Sequence, residues 1–333
     1  MPDSPAPPPG SQTPQPRPDD DGAAGETSFV IGTPGPGLHR FSHEAMATVF
    51  EVFTLHADRR YAAQAAQAAF DIVDALERDF SRFVANSDIS RINELRAGQQ
   101  TRVSRETLEC LVISRHVFDL TSGAFDISLG TGLPSLELHE DARVHAASDG
   151  VRLDLGAVGK GYAVDQMAAA LDEWELGPTL VHGGFSSVLA LDSPPGQAGW
   201  PLTISDPRRP ARILRRLAVR QTALGASGLQ KGDHIRDPRT GAPVRGRVAA
   251  WASVQRPPQG DTDAADTPRL AAAAVADALT TAFMIMGDDE IQALCDLSPG
   301  LEAWVLPDGD ARERTLLHFV GYTSLLSRLG DEP

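Results

Sequence analysis

From Trp200 to Val254 the chain alternates short β-rich runs with turn signals and shows no helical periodicity. A stretch of that kind reads as an antiparallel meander, because parallel strands need long crossover connections between them. Helical spacing is confined to other segments. Arg60–Phe83 is Ala-rich, with apolar residues at Ala66, Phe70, Val73, Leu76 and Phe80, and predicts a long helix. Further helices are expected from Ile89 to about Glu94 behind an Asn86-Ser87-Asp88 cap, over Ser104–Leu120 and over Lys160–Trp174. A last one falls within Asp266–Met286, stopped at Gly287. Strands are expected at Met46–His56, at Val151–Leu155, on either side of Gly183-Gly184, at Ala303–Leu306 and at Leu317–Thr323. Helices and strands do not alternate regularly, which predicts an α+β fold of antiparallel sheets with packed helices.

A chain of 333 residues, 41% of them hydrophobic, can bury a large core. Its net charge of −15 argues against a nucleic-acid or anionic-membrane surface. The one basic cluster, Arg208, Arg209, Arg212, Arg215 and Arg216, has no aromatic residue within it and reads as a solvated strand face. Residues 1–28 are rich in Pro, Ser, Gln and Asp and poor in core formers, so they are expected to be a disordered tail. No segment is apolar enough for a membrane span, and no signal-peptide pattern stands at the start; as written, the chain reads as soluble and cytoplasmic. Cys110 and Cys295 lie far apart in apolar helical contexts, which excludes a C-x-x-C motif and makes buried thiols the default, with a single bridge between them the alternative.

Five segments could carry chemistry. Asp154–Asp165 (DLGAVGKGYAVD) is a glycine-rich turn opening a helix, where backbone amides can approach an anion. It fits neither the Walker A spacing nor G-x-G-x-x-G, and a tight strand-to-helix connection explains it equally well. Val275–Phe283 (VADALTTAF) puts Asp277 and Thr281 on one helix face, with Thr280 about 100° away. A carboxylate and a hydroxyl are hard oxygen donors of the kind Mg²⁺ accepts, though Asp277 could equally form a salt bridge or a cap. Thr121–Gly130 (TSGAFDISLG) follows a helix stop at Ser122-Gly123 and places Asp126 in a short extended piece after Phe125, which by itself reads as no more than a turn. Val181–Ser187 (VHGGFSS) sets two glycines between strands, with His182 in a structural role. Leu224–Val244 contains Ser227-Gly228 and then HIRDPRTG, where His234 is a candidate general base or only a strand-end residue before a stiff turn.

Taken in order, MAT at Met46, FSRF ending at Phe83, NSDISRIN, GAFD, DLGAVGKG, Gly183-Gly184, Ser227-Gly228, HIRDPRTG and ADALTTA resemble the ApbE family of FAD:protein FMN transferases. The resemblance covers roughly residues 40–325, within a domain expected over 38–326. It implies a T-fold-like α+β scaffold and a Mg²⁺-dependent enzyme. Such an enzyme cleaves the pyrophosphate of FAD and attaches FMN through a phosphoester to a Ser or Thr of an acceptor flavoprotein. Carried over by position, Gly159 would give a backbone carbonyl to the metal, with Asp277 and Thr281 as side-chain ligands. Met46, Phe83, Ala124, Phe125, Asp126, Gly156, Tyr162 and Ile235 would contact FAD, and His234 would deprotonate the acceptor hydroxyl. The chain departs from the family pattern at Ala47, where Met-Gly-Thr is usual, at Gly159, at Phe185, and in a shortened hairpin before His234. Two other functions fit the same residues: a FAD pyrophosphatase in which water replaces the acceptor, and a FAD-binding protein without turnover.

Overall fold

A computed structural model describes residues 29–31, 37–229, 235–256, 271–310 and 314–321. They form β1 (Phe29–Ile31), β2 (Leu38–Ala45), β3 (Thr48–Leu55), α1 (Arg59–Phe80), α2 (Asp88–Asn93), β4 (Gln100–Arg102) and α3 (Arg105–Leu120). Next come β5 (Leu136–His139), β6 (Arg143–Ala146), α4 (Gly159–Glu173), β7 (Thr179–Gly183), β8 (Ser187–Ala190), β9 (Trp200–Asp206) and β10 (Arg209–Val219). The series closes with β11 (Thr222–Gly228), β12 (Arg247–Gln255), α5 (Ala272–Phe283), α6 (Asp288–Leu297), β13 (Leu301–Pro307) and β14 (Leu317–Val320).

Eight strands form one antiparallel sheet in the order β14-β13-β12-β11-β8-β7-β3-β2, flanked by the smaller sheets β1-β9-β10 and β4-β6-β5. The mixture of helices and antiparallel sheets expected from the sequence is what the chain adopts. The run from Trp200 is antiparallel throughout, but it divides: β9 and β10 join β1, while β11 and β12 enter the large sheet. The arginine cluster lies on and before β10, whose Arg209, Arg215 and Arg216 are exposed.

Each face of the large sheet buries its own core. Helices α1, α4 and α5 cover one face over Phe50, Val52, Val181, Leu189, Ala250 and Ala252, and α3 packs on α5. On the other, Phe53, Leu180, Val188, Trp251 and Trp304 meet Trp200, Leu202 and Ile204 of β9. The period of two along each strand produces this division.

Caps set the helix starts where the sequence signals them. Asp58 accepts from the amides of Arg60 (2.8 Å) and Tyr61 (3.2 Å), Ser87 from Ser90, and Ser104 from Thr107. Three expectations need correction. α1 ends at Phe80, because Ser81 turns extended. Val151–Leu155 is not a strand: Arg152 N donates to Thr131 Oγ1 (2.9 Å), Leu153 N to Asn93 Oδ1 (2.6 Å) and Asp154 N to the Ile127 carbonyl (2.8 Å), the places a neighbouring strand would take. Gly287, with φ −66°, is the N-cap of α6 rather than a left-handed stop for α5. Cys110 and Cys295 are free and buried, as expected. The tail at 1–28, the N-terminal part of the Asp266–Met286 segment and His234 lie outside the described residues.

Candidate active site

The site begins with the seat of α5. Its alanines rest on β11 and β12 at backbone distance: a Cβ on Gly225 would lie 2.6 Å from the carbonyl carbon of Ala276. A Cβ on Gly161 of α4 would lie 2.2 Å from the carbonyl oxygen of Ala273. This close approach carries Asp277 into the interior, at 5% exposure. Its Oδ2 accepts from Gly161 N (2.8 Å) and its Oδ1 from Ser187 Oγ (2.6 Å). Burial pushes the Asp277 carboxyl up to about 6, against the pull of Lys160 and of those two hydrogen bonds. Thr281 stands on the same face one turn on, its Oγ1 3.4 Å from Ser227 Oγ. Thr280, fully buried, donates to the Asp277 carbonyl (2.7 Å) and shares the same Ser227 Oγ at 2.9 Å.

Facing α5, the glycine turn leads into α4. Asp154 Oδ1 accepts from Gly156 N (2.9 Å), while its Oδ2 meets Arg82 Nε at 3.0 Å. Lys160 Nζ donates back to the Gly156 carbonyl (3.1 Å). Arg82, Asp154 and Lys160 all line the cleft, and none was among the site residues expected from the sequence. Lys160 was legible from its place inside the glycine turn; Arg82 had no comparable signal.

The cleft encloses about 650 Å³, within the range of small-molecule and cofactor sites. Met46, Ala124, Phe125, Asp126, Gly156, Ile235, Asp277 and Thr281 line it together. Met46 and Ala47 form the β2–β3 hairpin turn, both left-handed with φ 51° and 56°, a conformation that suits glycine better than either residue. The Met46 amide donates to Glu77 Oε1 (2.9 Å), which ties the turn to α1. Asp126 organises a turn, the plainer of the two sequence readings, rather than standing in an extended piece. Its Oδ1 accepts from the Ser128 amide and hydroxyl (2.7 Å each) and its Oδ2 from Gly130 N (2.9 Å), which holds the exposed Leu129 at φ 50°.

Other expected contacts fall elsewhere. Phe83 is 82% exposed beyond the end of α1, with the Arg82 guanidinium 4.5 Å from its ring centre. Tyr162 is buried and donates to Glu109 Oε2 (2.7 Å), between α4 and α3. Gly159 is the first residue of α4, where a Cβ would press on the Phe80 ring at 3.3 Å; the cleft wall runs through Gly156, Ala157 and Lys160 instead. His182 faces the other side of the sheet, 3.4 Å from Glu51.

A hard divalent cation fits Asp277 and Thr281 in chemistry: a desolvated carboxylate and a hydroxyl share one cleft-facing side of a helix. Among the described residues no group of three or more His, Cys, Asp or Glu could hold a metal, so the remaining positions would belong to backbone carbonyls, such as that of Gly159, and to water or ligand oxygens. No helix among the described residues is long and apolar enough to cross a membrane.

The ApbE family model matches residues 46–132 and 131–305. A curated FAD:protein FMN transferase from Treponema pallidum (strain Nichols) is 29% identical over 191 residues, covering 51% of this chain and 48% of that protein. The chain thus spans about half the length of the curated relative it matches. Among solved structures, the Pseudomonas stutzeri flavinyl transferase ApbE, apo form, superposes with a TM-score of 0.71 at 20% identity, covering 86% of this chain and 96% of that one. The Vibrio cholerae flavin transferase ApbE gives 0.69 at 18%, with coverages of 86% and 98%. The Thermotoga maritima ApbE protein gives 0.70 at 20%, with 87% and 98%. These likenesses establish the fold.

Proposed function

Because the chain belongs to the ApbE family, we propose that it is an enzyme that transfers FMN from FAD to a Ser or Thr hydroxyl of an acceptor flavoprotein and releases AMP. The observation that carries this reading is the pairing of Asp277 and Thr281 on α5 with the glycine turn of α4 across one cleft. The cleft has the volume for a dinucleotide, and its mixed lining suits one: Met46, Phe125 and Ile235 offer apolar contact to ring systems, whereas Lys160 and Arg82 offer charge to phosphates.

Asp277 and Thr281 would hold Mg²⁺, which when bound neutralises diphosphate charge. Lys160 adds a fixed cation on the same side. Transfer joins the acceptor oxygen to the FMN phosphorus and breaks that phosphorus's bond to the AMP oxygen. His234 would take the acceptor's proton; Ser227 and Gly228 before it and Ile235 after it all line the cleft, which supports that assignment. Incubation with FAD, Mg²⁺ and a Ser/Thr-bearing acceptor domain should give an acceptor heavier by one FMN group in mass spectrometry, and His234→Ala should abolish the adduct. Release of FMN and AMP with every acceptor unlabelled would replace transfer with FAD hydrolysis.

A further inference from the structure

The first turn of α5 has no cap of its own: Ala271 precedes it, and no side chain at that position bonds its free amides. Those amides are met from another helix. Asp165 of α4, at 2% exposure, accepts from Ala273 N through Oδ1 (3.0 Å) and from Ala274 N through Oδ2 (2.8 Å). One turn back on the same face of α4, Gly161 N donates to Asp277 Oδ2 (2.8 Å), one turn on from Ala273 along α5. Each helix thus gives the other a side-chain carboxyl group and takes one in return. Two rungs, 161 to 277 and 165 to 273–274, tie the pair together.

Shape does not fix this register by itself. Where α4 meets α5, Gly161 lies against the Ala273 carbonyl and the Ala274 Cα, small residue on small residue. Such smooth surfaces lack the ridges and grooves by which larger side chains lock helices. A buried polar contact can then select one register, as it does in coiled coils. We propose that Asp165 is a positioning residue that sets the depth of α5, and so places Asp277 and Thr281 in the cleft. The inference rests on the flavin-site reading only for its functional consequence; the position of α5 can be read without a ligand.

Asp165→Asn keeps the shape but replaces one acceptor oxygen by an NH₂ group, leaving a single acceptor for two helix amides. Leu171→Ala, at a fully buried position later on α4, serves as a control for general destabilisation. Hydrogen exchange of the full chain should show at least tenfold faster exchange in the segment 271–283 for Asp165→Asn, and a much smaller change there for Leu171→Ala once each is corrected for its global stability. With Mg²⁺ and FAD as the probe, Asp165→Asn should weaken binding at least tenfold. The double variant Asp165→Asn/Asp277→Asn should bind no worse than Asp277→Asn alone, because the two losses share one route. Unchanged exchange over 271–283 would overturn the proposal, as would additive losses of FAD affinity. Failure of the flavin reading shows itself separately, as wild-type protein that binds no FAD, and the exchange result then decides the role of Asp165 alone.

Discussion

On β12, Ala250 and Ala252 face α5, whereas Ala249 and Trp251 enter the second core with Trp200, Trp304 and Leu202. One strand therefore serves two kinds of packing. On the helix side, small residues let backbones approach until Gly161 and Gly225 have no room for a methyl group, and carboxylates are drawn into contact with amides. On the far side, large indoles fill the space between two sheets; this core meets the cleft at Ala226, the strand partner of Trp251. The cleft side gains geometry and carries desolvated acids; the far side gains buried apolar area at about 25 cal/mol per Å².

Perturbing each side should separate these roles. The largest expected effect on stability lies on the far side. Trp251→Ala should cost about 4 kcal/mol in urea unfolding, while the FAD affinity of the folded protein stays within about twofold. A collapse of affinity would break the division. On the near side, Gly161→Ala should cost about 2 kcal/mol, since its methyl group meets the Ala273 carbonyl and the helix must shift. Here FAD affinity should fall together with stability; a stable variant with normal affinity would show that close approach is not what places Asp277.

Acid pH should favour the near side. Burial pushes Asp165 up to about 8, against the pull of the two α5 amides and Arg256, and with Asp277 adding to the rise. The unfolded value is about 3.9. A raised carboxyl gives stability that is complete below the unfolded value and is lost as pH climbs through the folded one. Ligand-free protein should therefore lose about 1 kcal/mol per pH unit between roughly pH 6 and 8, a slope that Asp165→Asn should flatten. Chemical denaturation across that range reads it directly. The smallest effect is expected at the hairpin turn: Ala47→Gly relieves a left-handed alanine and should stabilise the protein by about 1 kcal/mol. An unchanged denaturation midpoint would show that the turn holds no strain.

Much of this was legible in the residues. The i, i+4 pairing of Asp277 and Thr281, the glycine turn and the Ser caps are local patterns, and local patterns survive folding. What the sequence hid depends on contacts between distant segments. Val151–Leu155 alternates as a strand should, yet Asn93, Thr131 and Ile127 occupy its hydrogen bonds. Phe80 and Phe83 look equivalent on a helical wheel, but the chain turns at Ser81, burying the first and exposing the second. Asp165 gave no sign of its role because its partners lie 108 and 109 residues away.

The central claim is that the cleft lined by the glycine turn before α4 and by Asp277 and Thr281 of α5 is a flavin-dinucleotide site in which Asp277 supports a cation. Its most direct test is the dissociation constant for FAD, measured with and without Mg²⁺, for wild type and Asp277→Asn. The account predicts that Mg²⁺ tightens binding to the wild type at least tenfold and leaves Asp277→Asn unaffected. FAD affinity indifferent both to Mg²⁺ and to the substitution would contradict it.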